Sequence, residues 1–272
     1  YPENKVSEIQ ERQLTTNGYN ITAFRIKGSF DDCQKMVKSA FLDKELNKKF
    51  NLTSANSINI ARWLPQSLYY FFAYKKLKKA NLVFSVPSGN FGNICAGLIT
   101  IKLGLPIKHF VASTNINDTI PRYFESQDFK PKPTIQTISN AMDVSNPSNF
   151  GRILEMFKNF KNLSKFMSSY SFNDDQTLAK IKKTYYHKKY ILDPHGAIGY
   201  LGLKKYLSIN PKKIGVFLGT AHPIKFSKHI EKVINRKLTI PDKIKKILEK
   251  DKNYIDIKNY SDFKKKMLQM EF

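Results

Sequence analysis

Residues Leu82 to Ala112, LVFSVPSGNFGNICAGLITIKLGLPIKHFVA, decide the fold. Leu82, Val83, Phe84 and Val86 form a short apolar run of the kind a buried strand requires. Pro87 ends it, and Ser88, Gly89 and Asn90 supply turn chemistry. From Phe91 onward, Ile94, Leu98 and Ile101 recur at helical spacing, with Ala96 and Gly97 small enough for close packing. Gly104 and Pro106 end that helix, and 107–112 predicts the next strand. Strand, glycine loop, helix and strand in this order predict parallel α/β architecture.

A glycine loop between a buried strand and a helix N-terminus is suited to an anion, because free N–H groups and the helix dipole both favour negative charge. Gly89 and Gly92 let a phosphate approach the backbone. The same residues also read as a plain βα turn. The loop is neither a GxxxxGK[ST] nor a GxGxxG sequence, so the residues alone do not say whose phosphate it would hold.

Working outward, Ser7 with Gln10 has the spacing of a helix capping box. Asn20 to Ile26 reads as a strand. Ser29 or Asp31 can cap a helix through Cys33, Met36, Val37 and Phe41. Pro65 places the next regular helix from that residue on, or kinks it there. Downstream, Asn117 or Asp118 starts a short helix. Further helices are expected at 153–157, 163–167, 177–186, 194–206 and 223–233, with strands at 190–192 and 214–218. The last 35 residues are lysine-rich with helical patches.

The 272 residues carry 46 basic and 22 acidic side chains, a formal charge of +24. Only six of the basic residues are arginines, and the lysines are scattered along the chain. Base readout and bidentate phosphate contacts favour arginine, so the charge reads as a lysine surface and not as a nucleic-acid site. No apolar run is long enough for a membrane span. Cys33 and Cys95 read as free thiols in a reducing cytosol. No His/Cys or acidic cluster has metal-ligand spacing.

Two polar stretches could carry chemistry. Gly219-Thr220-Ala221-His222-Pro223 follows the apolar run at 214–218, where ligands collect in open parallel sheets. On the residues alone, the simpler reading of Thr220 is a helix N-cap, and His222 reads as structural. Asn56, Ser57 and Arg62 combine short polar groups with an arginine at a helix start, which suits an anion or an ordinary surface cap.

SVPSGNFGN at 85–93 resembles the cofactor-phosphate loop of the threonine synthase family, in its longer bacterial and fungal form. KVSEIQERQLTT, FDDCQKMVKSAF, NSINIAR, STNINDTIPR, SNAMDVSNPSNF, DPHGAIGY and LGTAHPIKF agree with that family in order and spacing. The resemblance implies a fold type II, tryptophan synthase β-like α/β enzyme, with parallel sheets flanked by helices and incomplete at its N-terminus. Residues 1–45 would end a first lobe, 46–240 would form a second lobe, and 241–272 would be a C-terminal helical tail.

The resemblance further implies pyridoxal 5'-phosphate as cofactor. Gly89, Asn90, Phe91, Gly92 and Asn93 would hold its phosphate, and the Thr220 hydroxyl would bond its ring nitrogen. Asn56, Ser57 and Arg62 would hold the substrate's phosphate. The implied reaction converts O-phospho-L-homoserine and water to L-threonine and phosphate, in the cytoplasm and without nucleic-acid or membrane partners. A serine/threonine dehydratase, or an inactive remnant, is the alternative. The family's Schiff-base lysine, in an FKD motif, and its SGDTG-like loop are expected upstream of the match to Tyr1. No lysine of this chain sits in that context, so no catalytic residue is assigned. The Ser139 to Asn149 block and Asp193-Pro194-His195 are family markers without an assigned role.

Overall fold

The computed structural model describes residues 1–270, which form two compact units, 54–237 and 1–53 with 238–270. In the larger unit the chain runs through α4 (Trp63–Leu77), β2 (Leu82–Pro87), α5 (Gly92–Lys102), β3 (His109–Thr114), α6 (Thr119–Ser126), α7 (Phe150–Phe157) and α8 (Phe160–Ser164). It continues through β4 (Met167–Ser171), α9 (Asp174–Lys188), α10 (Pro194–Ile209), β5 (Ile214–Phe217) and α11 (Ser227–Ile234). The smaller unit holds α1 (Glu8–Thr15), β1 (Phe24–Ile26), α2 (Phe30–Leu42), α3 (Lys44–Lys49), α12 (Asp242–Leu248), β6 (Ile255–Ile257) and α13 (Tyr260–Gln269). No helix among the described residues is long and apolar enough to cross a membrane.

The larger unit is built on one parallel sheet of order β4-β3-β2-β5. Alternation along β2 splits the core. Leu82, Phe84 and Val86 face a layer that includes Trp63 and Tyr70 of α4 and Ile94 and Leu98 of α5. Val83 faces the other way, with Val111, Leu203 and Tyr206. Ser85, also buried, is accommodated because its hydroxyl donates to the Gly199 carbonyl at 2.6 Å and lies 2.9 Å from that of Ser113. Pro65 falls in the first turn of α4, where its missing N–H costs no helical bond.

Two strand expectations differ from the structure. Residues 167–171, MSSYS, form β4 and not a helix end; Ser169 is buried and donates to the Ala112 carbonyl. Residues 190–192 are irregular and lead into the Asp193 cap of α10.

In the smaller unit the expected capping box of Ser7 with Gln10 forms, and of the two candidate caps for the next helix it is Ser29 that caps α2, in a box with Asp32. The strand expected over 20–26 shortens to β1, whose partner is β6, parallel, with Phe24 opposite Ile255. Residues 241–272 are therefore no separate helical tail, and the last two of them lie outside the described residues. Arg25 forks onto Asp256 at 2.7 and 3.0 Å. Lys264 of α13 bridges Asp43 and Glu45, and Tyr260 also donates to Asp43. A chain ending at Lys237 loses this entire half of the unit. It is expected to leave residues 1–53 open to limited proteolysis while 54–237 stays resistant. Equal resistance of both segments would contradict this.

Candidate active site

The loop between β2 and α5 has the form an anion site needs. Phe91 occupies the N-cap position of α5 with φ +62° and offers no side-chain cap. The first-turn N–H groups of Gly92, Asn93 and Ile94 therefore face outward uncapped, at the positive end of an 11-residue helix. A bulky residue in the left-handed region costs on the order of 1–3 kcal/mol and persists only where its surroundings fix it. Here the ring of Phe91 is 3% exposed and meets Phe150 edge-on at 5.9 Å.

The segment before α4 braces this loop. A Cβ on Gly92 would lie 2.4 Å from Ser57 Cβ, so only glycine allows this approach. The Ser57 hydroxyl donates to Asn56 Oδ1 at 3.2 Å and accepts from Asn90 Nδ2 at 3.3 Å and Asn149 Nδ2 at 3.1 Å. Its capacity is thus filled within the protein. Asn56 and Arg62 are exposed. Asn59, and not Ser57, caps the turn that leads into α4.

Sequence reasoning missed Arg152. Its guanidinium donates to the Ile58 carbonyl at 2.7 Å, the Ser57 carbonyl at 3.3 Å and Asn149 Oδ1 at 3.0 Å, above the Trp63 ring. The available signal was its position three residues after Asn149, at the end of a marker block without a role.

That block forms the loop's other wall. Met142 backbone packs on Gly89, Ser148 donates to Asn90 Oδ1 through both N (2.8 Å) and Oγ (3.0 Å), and Asn149 Nδ2 donates to the Asn90 carbonyl at 2.9 Å. Behind it, the Asp143 carboxyl accepts from Thr137 Oγ1 at 2.7 Å, Thr137 N at 3.0 Å and Asn115 Nδ2 at 2.9 Å. Burial outweighs these bonds and pushes its pKa up to about 6.

The unfolded carboxyl titrates near ~3.9, so ionising Asp143 opposes folding: the penalty is absent below pH ~4 and complete above ~6. Asp193, likewise raised to about 6 by burial, acts with the same sign. His109 and His195 are lowered by burial to about 4, so their contribution is present above ~6.5 and lost as pH falls through 4. A 13C titration of Asp143 is expected to show a midpoint near 6; a midpoint near 4 would contradict the buried geometry.

Thr220 lies beyond the C-terminal end of β5, as Ser88 lies beyond that of β2, and the two strands pair with Ser85 opposite Phe217. Both therefore belong to the C-terminal rim of one parallel sheet. Thr220 lines a cleft of about 510 Å³ with Tyr190, Asp193, Phe217, His222 and Lys225. The residues of the 89–93 loop do not line that cleft. Thr220 is exposed and is not a helix cap: His222 Nδ1 accepts from Ile224 N at 3.2 Å and caps the following turn. Asp193 caps α10 through the N–H groups of His195 and Gly196, which gives the Asp-Pro-His marker a structural role beside the cleft.

Residues 1–218 match the family model described as pyridoxal-phosphate dependent enzyme, and residues 196–267 match the one described as threonine synthase, C-terminal. Threonine synthase of Buchnera aphidicola from Acyrthosiphon pisum is 47% identical over 247 residues, 90% of this chain and 57% of that protein. The crystal structure of Escherichia coli threonine synthase superposes with a TM-score of 0.94 at 40% identity, covering 100% of this chain and 64% of that one. The pyridoxal-phosphate-bound threonine synthase of Brucella melitensis gives a TM-score of 0.84 at 31% identity, covering 98% and 63%. This chain thus spans about three fifths of the length of these relatives. The chain belongs to the pyridoxal-phosphate dependent enzymes of fold type II, in the threonine synthase family.

Proposed function

We propose that this chain forms the cofactor-phosphate and ring-nitrogen side of a threonine synthase site, which converts O-phospho-L-homoserine and water to L-threonine and phosphate in the cytoplasm. The observation that carries the reading is the uncapped start of α5, held by a strained Phe91 and braced through Ser57. Those N–H groups fit a phosphate, so the donor set suits pyridoxal phosphate. When bound, the cofactor supplies an electron sink for carbanion chemistry at the substrate.

In this reading Gly89, Asn90, Phe91, Gly92 and Asn93 bind and orient the cofactor's phosphate through backbone donors. The Thr220 hydroxyl donates to the pyridine nitrogen, which leaves that nitrogen unprotonated where a carboxylate would hold a proton on it. Arg62 and the Asn56 amide, both exposed, take the substrate's phosphate, with Ser57 orienting Asn56. Arg152 fixes the backbone carbonyls of Ser57 and Ile58 and so holds that arm in place. No lysine of this chain is given the Schiff-base role.

The test is phosphate release from O-phosphohomoserine by the chain together with the N-terminal part of a threonine synthase relative and pyridoxal phosphate. The proposal expects stoichiometric L-threonine and phosphate, and Arg62→Ala is expected to raise KM about tenfold or more, since charge-assisted contacts contribute ~1.5–3 kcal/mol each. Ammonia from serine or threonine without phosphate release would replace this reading with a dehydratase, and neither product would mark an inactive remnant.

A further inference from the structure

A cofactor held at both ends needs its two partners at a fixed separation. The donors at the start of α5 and the Thr220 hydroxyl are not neighbours, since the 89–93 loop does not line the Thr220 cleft. Helix α10 lies against both places. Its opening sequence, DPHGAIGY, has so far been given only the Asp193 cap.

α10 covers the face of the sheet opposite α5, with Leu203 and Tyr206 packed on Val83 and Val111. It runs antiparallel to the strands. Tyr206 stacks on His109 at the start of β3, Leu203 meets Gly215 near the start of β5, and Gly199 reaches the far ends of β2 and β5. A Cβ on Gly199 would lie 3.2 Å from Pro87 Cγ, 3.3 Å from Pro87 Cδ and 3.8 Å from the Leu218 carbonyl oxygen. Pro87 is the last residue of β2 and leads into Ser88 and Gly89. Leu218 follows β5 and leads into Gly219 and Thr220. One glycine therefore touches the roots of both segments.

Its neighbours on the helix extend the same link. Ser85 Oγ, in β2, donates to the Gly199 carbonyl and fixes the helix at this level. Ile198 packs with Met142, whose backbone abuts Gly89 in the phosphate loop. Gly196, one turn earlier, lines the Thr220 cleft beside Asp193. His195 meets Phe226 edge-on at 5.0 Å, in the turn that carries Lys225 on the wall of that cleft.

We propose that Gly199 is a positioning residue for the cofactor: by seating α10 against Pro87 and Leu218 it sets the separation between the phosphate donors of α5 and the Thr220 hydroxyl, a role that rests on the functional reading above. An added methyl at 3.2 Å has to open to an ordinary carbon contact of ~3.7 Å, a shift of about half an ångström. A misplacement of ~1 Å in a positioned site can cost 10²-fold, so half of that costs about tenfold for a ligand that must reach both groups. A ligand that reaches only one of them loses little.

Two probes separate these cases, with the chain assembled as for the turnover test above. Inorganic phosphate reaches only the start of α5. Pyridoxine 5'-phosphate carries phosphate and ring together and has no aldehyde to condense with a lysine. Both are titrated against the amides of Gly92, Asn93 and Ile94. G199A is expected to weaken pyridoxine 5'-phosphate about tenfold and inorganic phosphate less than twofold. P87A/G199A, which removes the ring that the methyl meets, is expected to recover most of the loss. I181A, a cavity at a fully buried residue of α9, is expected to lower the unfolding midpoint and leave the ratio of the two affinities unchanged. Equal weakening of both probes by G199A, no weakening of either, or a loss that P87A/G199A leaves in place overturns the proposal. Probes that leave those amides unmoved in the parent protein overturn the functional reading and the proposal with it, whereas probes that bind there with a ratio indifferent to G199A reject the positioning role alone.

Discussion

Gly97→Ala is expected to destabilise the larger unit by about 2–3 kcal/mol, against the gain of ~0.5–1 kcal/mol that Gly to Ala gives inside an unobstructed helix. The reversal of sign comes from the aromatic layer on which α5 lies. A Cβ at residue 97 would sit 2.4 Å from Phe110 Cε1 and 2.8 Å from Tyr70 Cζ. Neither ring can yield, because Tyr70, Phe84 and Phe110 are fully buried and pack against one another at centroid distances of 5.2, 5.4 and 6.0 Å. The Tyr70 hydroxyl is also tied to Asn93, at 3.0 Å to its carbonyl and 2.7 Å to its Oδ1, so displacement of that ring disturbs the first turn of α5 as well. Urea unfolding reads the effect. An unchanged or raised midpoint would contradict the packing described.

Gly92→Ala is expected to weaken pyridoxal-phosphate binding about 100-fold in the assembled protein while costing less stability than Gly97→Ala. The added methyl would meet Ser57 Cβ at 2.4 Å, and Ser57 has no slack, since Asn56, Asn90 and Asn149 occupy its hydroxyl and Trp63 and Arg152 hold its carbonyl. The new Cβ therefore moves the loop itself, and a displacement of ~1 Å in a positioned site can cost 10²-fold. Equilibrium titration with the cofactor measures the loss. Binding within threefold of the parent would show that the Ser57 brace does not set the loop.

The centre of the fold was legible because β2, its loop and α5 carry strong local signals. An apolar run interrupted only by Ser85, turn residues and a helical period all agree over 82–102. β4 was hidden by its three serines, which leave no apolar pattern; Ser169 is buried there by its bond to the Ala112 carbonyl of β3. β6 is three residues long among lysines, and its partner Phe24–Ile26 lies more than 200 residues earlier, so no local pattern could reveal it. In the site, the glycine loop stood out because phosphate chemistry needs glycine and helix starts together. The roles of Asn149, Arg152 and Asp143 are tertiary: each is an ordinary polar residue in sequence, and Asn149 and Arg152 acquire meaning only when the 137–152 segment folds against 56–58 and 89–93, Asp143 when it closes on Thr137 and Asn115.

The central claim is that the N-terminus of α5 receives the cofactor's phosphate while Thr220 meets its ring. Backbone 15N–1H spectra of the labelled chain test this most directly, recorded with the unlabelled N-terminal part of a relative, before and after adding pyridoxal phosphate. The account predicts that the amides of Gly92, Asn93 and Ile94 and the signals of Thr220 shift together and saturate together. Saturable binding that leaves those amides in place and moves another set would contradict it.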